Sequence, residues 1–121
     1  MKVLIVEDNE FNQIVLRDML LIIFPSLDIS VHDSAVDSLK IGNHESYDLI
    51  LSDIDMPGMS GFEFYTTLRN DLNITIPIIA ITALAVSGDK EKILMHGFDA
   101  YISKPINLDE LGPTLDPFIV R

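Results

Sequence analysis

Five short apolar runs, separated by segments of helical period, constrain this sequence more than anything else in it. VLIV (3–6) is a continuous apolar run of the kind that a strand covered on both faces requires. Phe11, Ile14, Val15, Met19, Ile22 and Ile23 then recur at helical spacing, and Pro25 ends that helix. DISVH (28–32) alternates as a strand does. Ser34 with Asp37 resembles a capping box that opens a second helix, closed near Gly42. DLILS (48–52) is the next buried strand and leads into a loop, DIDMPGMSG (53–61). Ser60 and Glu63 make a clearer capping box for a third helix, with Phe62, Tyr65 and Leu68 on its inner face. IPIIAIT (76–82) is the most β-rich run, and a fourth helix over roughly 86–96 stops at Gly97. AYIS (100–103) is a short fifth strand, and Asn107 with Glu110 caps a last helix.

Strands alternating with helices imply repeated right-handed βαβ units and a parallel sheet. The 121 residues fit one α/β domain spanning 1–121, with 48% hydrophobic residues to build its core. The formal net charge of −11 argues against a nucleic-acid grip and against an anionic membrane surface. It suits a cation site or a basic protein partner. With no cysteine, disulfide scaffolds, thiolate metal sites and thiol catalysis are excluded. The longest apolar stretch, MLLIIF (19–24), is too short to span a bilayer, and MKVLIVEDN lacks the apolar region of a signal peptide. A cytoplasmic location is the default expectation.

Open parallel sheets place their sites beyond the carboxyl ends of the strands. There the first strand ends in Glu7 and Asp8, the third in Asp53 with Asp55 beyond it, the fourth in Thr82, and the fifth in Lys104 followed by Pro105. Adjacent carboxylates repel: at ~4 Å and an effective dielectric near 20, two unit charges interact by roughly 4 kcal/mol. A hard divalent cation such as Mg2+, which takes oxygen ligands and keeps several waters, relieves that repulsion, and Lys104 adds a further positive charge. Each residue alone has an ordinary explanation as a cap, a turn or a surface charge. Their joint occurrence at consecutive expected site positions is what points to a metal-binding acidic cluster.

On VEDN (6–9), DIDMPGMSGFE (53–63), IIAITA (78–83) and DAYISKP (99–105), the chain resembles a receiver domain of bacterial two-component response regulators. The match covers essentially the whole sequence. The resemblance implies a flavodoxin-like fold: a five-stranded parallel sheet of order 2-1-3-4-5 with helices on both faces. It implies that Asp53 is the phosphoacceptor. Asp8 would hold Mg2+ directly, Glu7 through water, and the backbone carbonyl of Asp55 would be a further ligand. Thr82 corresponds to the switch hydroxyl, Tyr101 to the switch aromatic, and Lys104 to the lysine that pairs with the phosphoryl group, next to a cis Lys104–Pro105 bond. The implied function is a signalling phosphoacceptor rather than an enzyme, assisting its own phosphorylation and dephosphorylation. It would take a phosphoryl group from a sensor histidine kinase or a histidine phosphotransfer protein. Added charge on Asp53 would draw in Thr82, let Tyr101 rotate inward, and reshape the face of helix four, strand five and helix five that meets an effector.

Other residues have plainer readings. Phe62, Phe64, Tyr65, Phe98 and the methionines read as core or edge packing, and Gly58 and Gly61 as loop geometry. His96 suits a helix C-terminus. His32 and His44 lack partners at metal-ligand spacing. Pro113 and Pro117 lie inside the last helix, so it should be short, kinked or split, with Pro113 opening a new turn after Gly112. The family uses that helix in effector or homodimer contacts. Asp55 and Leu84 flank the site where phosphoryl lifetime is tuned. These 121 residues are expected to be a stand-alone receiver or a piece of a hybrid sensor kinase, since the opening DNEFNQIVLRDML resembles receivers of hybrid kinases as much as free-standing ones. Two rivals remain. Asp53-Ile54-Asp55 is similar to the DxD nucleophile of haloacid-dehalogenase-type phosphatases, although Pro57 stands where a Thr or Val normally follows. A pseudo-receiver that only binds partners would usually have lost the acceptor or an acid, and neither is lost here.

Overall fold

Every residue of two central strands, LILSD and IIAIT, is buried, because helices cover both faces of the sheet they sit in. A computed structural model of the chain describes residues 1–83 and 89–119. Its strands are β1 (Lys2–Val6), β2 (Asp28–His32), β3 (Leu49–Asp53), β4 (Ile78–Thr82) and β5 (Ala100–Ser103). They pair in parallel in the order β2-β1-β3-β4-β5, as expected of the flavodoxin-like arrangement. Between them run α1 (Glu10–Ile23), α2 (Ala35–Ile41), α3 (Gly61–Thr66) and α4 (Asp89–His96), and α5 (Leu108–Leu115) closes the series. Residues 86–88 of the expected fourth helix, and Leu84, lie outside the described residues.

Strand alternation splits the core in two. Val3, Ile5, Leu51 and Ile81 face Leu16 and Leu20 of α1 and Leu111 and Leu115 of α5. Leu4, Val6, Ile50 and Ala80 face Phe64, Leu68 and Ile93 on the other side.

Three helices differ from expectation in instructive ways. In α1 the buried pair is Leu16 and Leu20, while Phe11 (73%), Ile14 (53%) and Ile22 (69%) are exposed. The segment is apolar on more than one face, so its period marks a helix without fixing which side meets the sheet. In α3 the core residue is Phe64 rather than Phe62. Phe62 and Tyr65 turn toward the end of α4, where they ring His96 and Phe98. The helix then widens into a π turn over Thr67–Asp71. The last helix is short and split, but Pro113 does not open a new piece: it lies inside α5, and a 3-10 turn follows at Asp116–Phe118 with Pro117 in its first positions. Proline removes the bond to the carbonyl four residues back, which belongs to the exposed Asp109, where water can donate instead.

The expected cap residues are in place, although Asn107 takes Asp109 rather than Glu110 as its partner. Ser60 and Glu63 form a complete capping box, Ser34 caps α2, and Asn107 caps α5 through the amide of Asp109. Gly42 and Gly97 end their helices at positive φ.

Candidate functional site

The carboxyl ends of β1, β3, β4 and β5 bring the expected site residues together. Glu7 directly follows β1, and its amide donates to His32 O of β2 at 3.2 Å, the last backbone rung between those strands. Its side chain is buried, with Oε1 accepting from the amide of Asn9 at 3.1 Å. Asp8 is exposed beside it. Asp53, the last residue of β3, is buried, and Oδ1 accepts from the amide of Asp55 at 3.3 Å. One oxygen each from Glu7, Asp8 and Asp53 lies within 4.8 Å of the others.

Lys104 enters from the end of β5. Its Nζ stands 3.0 Å from Glu7 Oε2 and 3.0 Å from Asp53 Oδ2. Its amide donates to Thr82 O at 2.7 Å, which ties the tip of β5 to the tip of β4. The Lys104–Pro105 bond is cis, as the resemblance implies. Thr82 is buried at the end of β4. Tyr101 pairs with Ala80 across β4–β5 and is half-buried, with Lys90 Nζ 5.6 Å from its ring centre. It lines a recess of about 670 Å³ that also takes in Lys90, Leu94, Asn107 and Pro113, between α4, β5 and α5.

The electrostatics are unbalanced. Burial pushes the Glu7 carboxyl up, and the neighbouring charge of Asp53 adds to that, against the opposing bonds from Lys104 and Asn9. Burial alone would pull the Lys104 ammonium down; its bonds to Asp53 and Glu7 outweigh this and hold it above the ordinary lysine value. One ammonium, bonded to two of the three carboxylates, leaves the cluster with a formal excess of two negative charges. The donor set fits a hard divalent cation: all-oxygen, partly open to water, and compact. Opposite ligands of an octahedral ion with bonds of about 2.1 Å lie about 4.2 Å apart, close to this cluster's span. The Asp55 side chain is exposed and outside the cluster.

Two further residues belong to the site and escaped sequence reasoning. Gln13 of α1 donates from Nε2 to Glu7 O at 2.6 Å and to Asp33 Oδ1 at 2.9 Å. Its place one helical turn after the cap Asn9 was the available signal. Gly61 packs on the backbone of Asp53: a Cβ there would meet Asp53 O and lie 2.7 Å from Ile54 Cα. Its role as loop geometry is therefore a close backbone approach. His32 and His44 meet at Ser38. Ser38 Oγ lies 2.8 Å from His32 Nδ1 and 2.9 Å from His44 Nε2, linking two buried imidazoles.

Comparison with known proteins agrees with this geometry. A family model described as "Response regulator receiver domain" matches residues 3–116. The chain is 39% identical to the polar-differentiation response regulator DivK of Brucella ovis over 97% of this chain and 94% of that protein. It superposes on the receiver domain of a Pseudomonas aeruginosa sensor histidine kinase, solved with a magnesium ion in its active-site cleft. That match has a TM-score of 0.80 and 30% identity over 97% of this chain and 95% of the other. It also superposes on a Saccharomyces cerevisiae response-regulator receiver domain co-crystallised with a histidine phosphotransfer protein. There the TM-score is 0.81 and the identity 28%, over 96% and 87% of the two chains.

Proposed function

This chain belongs to the response regulator receiver family of two-component signalling, and from that premise we propose that Asp53 is its phosphoacceptor. The observation that carries the proposal is the position of Lys104 Nζ, 3.0 Å from both Asp53 and Glu7, beside an exposed Asp8. A phosphohistidine donor is attacked by an oxygen of Asp53. The P–N bond breaks as the P–O bond forms, and the donor ring takes back the electron pair and a proton from solvent. Mg2+ in the acidic cluster would supply positive charge, in addition to that of Lys104, to offset the charge that develops on the phosphoryl group. Asp8, Asp53 and the Asp55 carbonyl would hold it, and Glu7 would do so through water. Lys104 neutralises from the other side and orients Asp53. Catalysis is positioning and electrostatics, with no general base, as in other phosphoryl transfers.

The donor is a sensor histidine kinase or histidine phosphotransfer protein. Support comes from Phe11 and Ile14, apolar side chains of α1 that lie exposed a few positions after Asp8. The product adds roughly −1.5 to −2 charge beside Thr82. Thr82 moves toward it, Tyr101 turns inward beside the small Ala80, and the recess between α4, β5 and α5 changes shape for an effector. We read residues 1–121 as one receiver unit working in the cytoplasm, a switch that helps its own dephosphorylation rather than a turnover enzyme. Among the described residues, no helix is long and apolar enough to cross a membrane.

The test is incubation with Mg2+ and a small acyl-phosphate donor, read by intact mass. One added phosphoryl group is expected, lost in Asp53→Asn and in Asp8→Ala. Undiminished labelling of Asp53→Asn would exclude the assigned acceptor, and turnover of free phosphomonoesters would favour the haloacid-dehalogenase-type alternative.

A further inference from the structure

We propose that Gln13 is a positioning residue for the metal cluster, fixing the peptide between Glu7 and Asp8 so that Asp8 is presented to the ion. The inference rests on the metal-assisted reading above. The carboxylates of Glu7 and Asp53 are buried and held by Lys104. Asp8 is different: it is exposed, and no described residue bonds its carboxylate. Its direction therefore depends on the backbone that carries it.

That backbone sits where the sheet stops. Val6 pairs with His32, and the amide of Glu7 makes the last β1–β2 rung to His32 O. Beyond this the strands diverge, and the carbonyl of Glu7 has no strand partner to accept from. Gln13 supplies one. Its side-chain amide has two hydrogens; one is directed to Glu7 O at 2.6 Å and the other to Asp33 Oδ1 at 2.9 Å. The side chain thus continues the sheet by one rung, spanning the ends of β1 and β2. It is itself fixed by α1, since the amide of Gln13 donates to the carbonyl of the cap Asn9 at 3.0 Å. Asn9 in turn donates its amide to Glu7 Oε1. Holding the Glu7 carbonyl fixes the plane of the Glu7–Asp8 peptide, and with it the start of the Asp8 side chain. Groups that orient ligands in this way typically govern metal affinity without touching the ion.

The test compares Gln13→Leu with Ser38→Ala, which disturbs the buried histidine link and leaves the acidic cluster alone. Mg2+ affinity is measured by calorimetry at constant ionic strength, with the urea midpoint recorded for each variant. Gln13→Leu should bind Mg2+ about 10-fold more weakly than wild type, and Ser38→Ala should bind it as wild type does. In the metal-free protein, amide exchange at Asp8 and Asn9 should quicken in Gln13→Leu only. Wild-type binding with Gln13→Leu within about twofold of it would overturn the role of Gln13 and leave the metal site standing. A wild-type protein that binds no Mg2+ would overturn both.

Discussion

The two ends of the sheet each hold a cation against a carboxylate, with different outcomes. At the amino end, Arg69 gives Nη1 to the carbonyls of Ile74 at 2.8 Å and Ile76 at 2.7 Å, Nε to Tyr65 OH at 3.2 Å, and Nη2 to Asp99 Oδ2 at 3.3 Å. Asp99 also accepts from the amide of Ile78 at the start of β4. One cation meets one anion, and backbone groups take the remaining valence. The guanidinium fork is suited to that. At the carboxyl end a single ammonium, Lys104, is divided between Glu7 and Asp53 while Asp8 adds a third carboxylate. The first arrangement is complete within the chain and serves stability. The second is short of positive charge by design of its residues, and that shortage is what a divalent ion and a phosphoryl group can use.

Mutation should separate the two ends. The largest effect expected is Lys104→Ala, which removes the cation facing the developing charge: labelling of Asp53 should slow by about 100- to 1000-fold while the fold persists. It also leaves two buried carboxylates without their partner, so the urea midpoint should drop at neutral pH and recover with Mg2+. A globally unfolded variant would make its role structural. Next, Gly61→Ala should strike both properties, because the new Cβ meets backbone of Asp53 and Ile54 that cannot swing aside. About 100-fold slower labelling is expected from displacement of the acceptor, with about 2 kcal/mol lost from overpacking. Wild-type labelling in this variant would show that Asp53 tolerates movement.

Arg69→Ala should do the reverse of Lys104→Ala. Two carbonyls lose their donor and Asp99 its cation, at a cost of about 2 kcal/mol in urea denaturation, and labelling of the folded protein should be unchanged. A labelling defect there would erase the distinction between the ends.

The smallest effect concerns pH. Burial holds the His32 and His44 imidazoles below the ordinary 6.5; Asp33 and Asp37 oppose this for His32, and Glu45 does for His44. The unfolded chain takes up protons at about 6.5, before the folded protein does. Stability from this pair is therefore full above 6.5 and falls as pH drops from there toward the folded values. Glu7, with its carboxyl raised, acts oppositely: protonation on acidification relieves its burial. In Glu7→Gln the urea midpoint should thus fall more steeply on acidification from neutral pH than in wild type. Equal slopes would mean that Glu7 carries no such strain.

Much of this was readable in the chain. VLIV and IIAIT announce buried strands because a doubly covered strand has no polar side, and Glu7, Asp53, Thr82 and Lys104 announce the site because each ends such a run. What was not readable depends on three dimensions. Ile14 and Leu16 are equally apolar, and only the sheet decides that Leu16 is inside. The π turn at Thr67–Asp71 sets Arg69 against loops that the local pattern does not mention. Gly61 is demanded by the carbonyl of Asp53, eight positions back along the chain, and Gln13 by a carbonyl on another element.

The most direct test of the charge imbalance is the effect of Mg2+ on unfolding. An ion that binds the folded cluster alone adds about 2.7 kcal/mol at 100 times its dissociation constant. Wild-type protein should show a rise in urea midpoint with Mg2+ beyond that given by NaCl at equal ionic strength, and Asp8→Ala should lose it. An identical midpoint for wild type in the two salts would contradict the account.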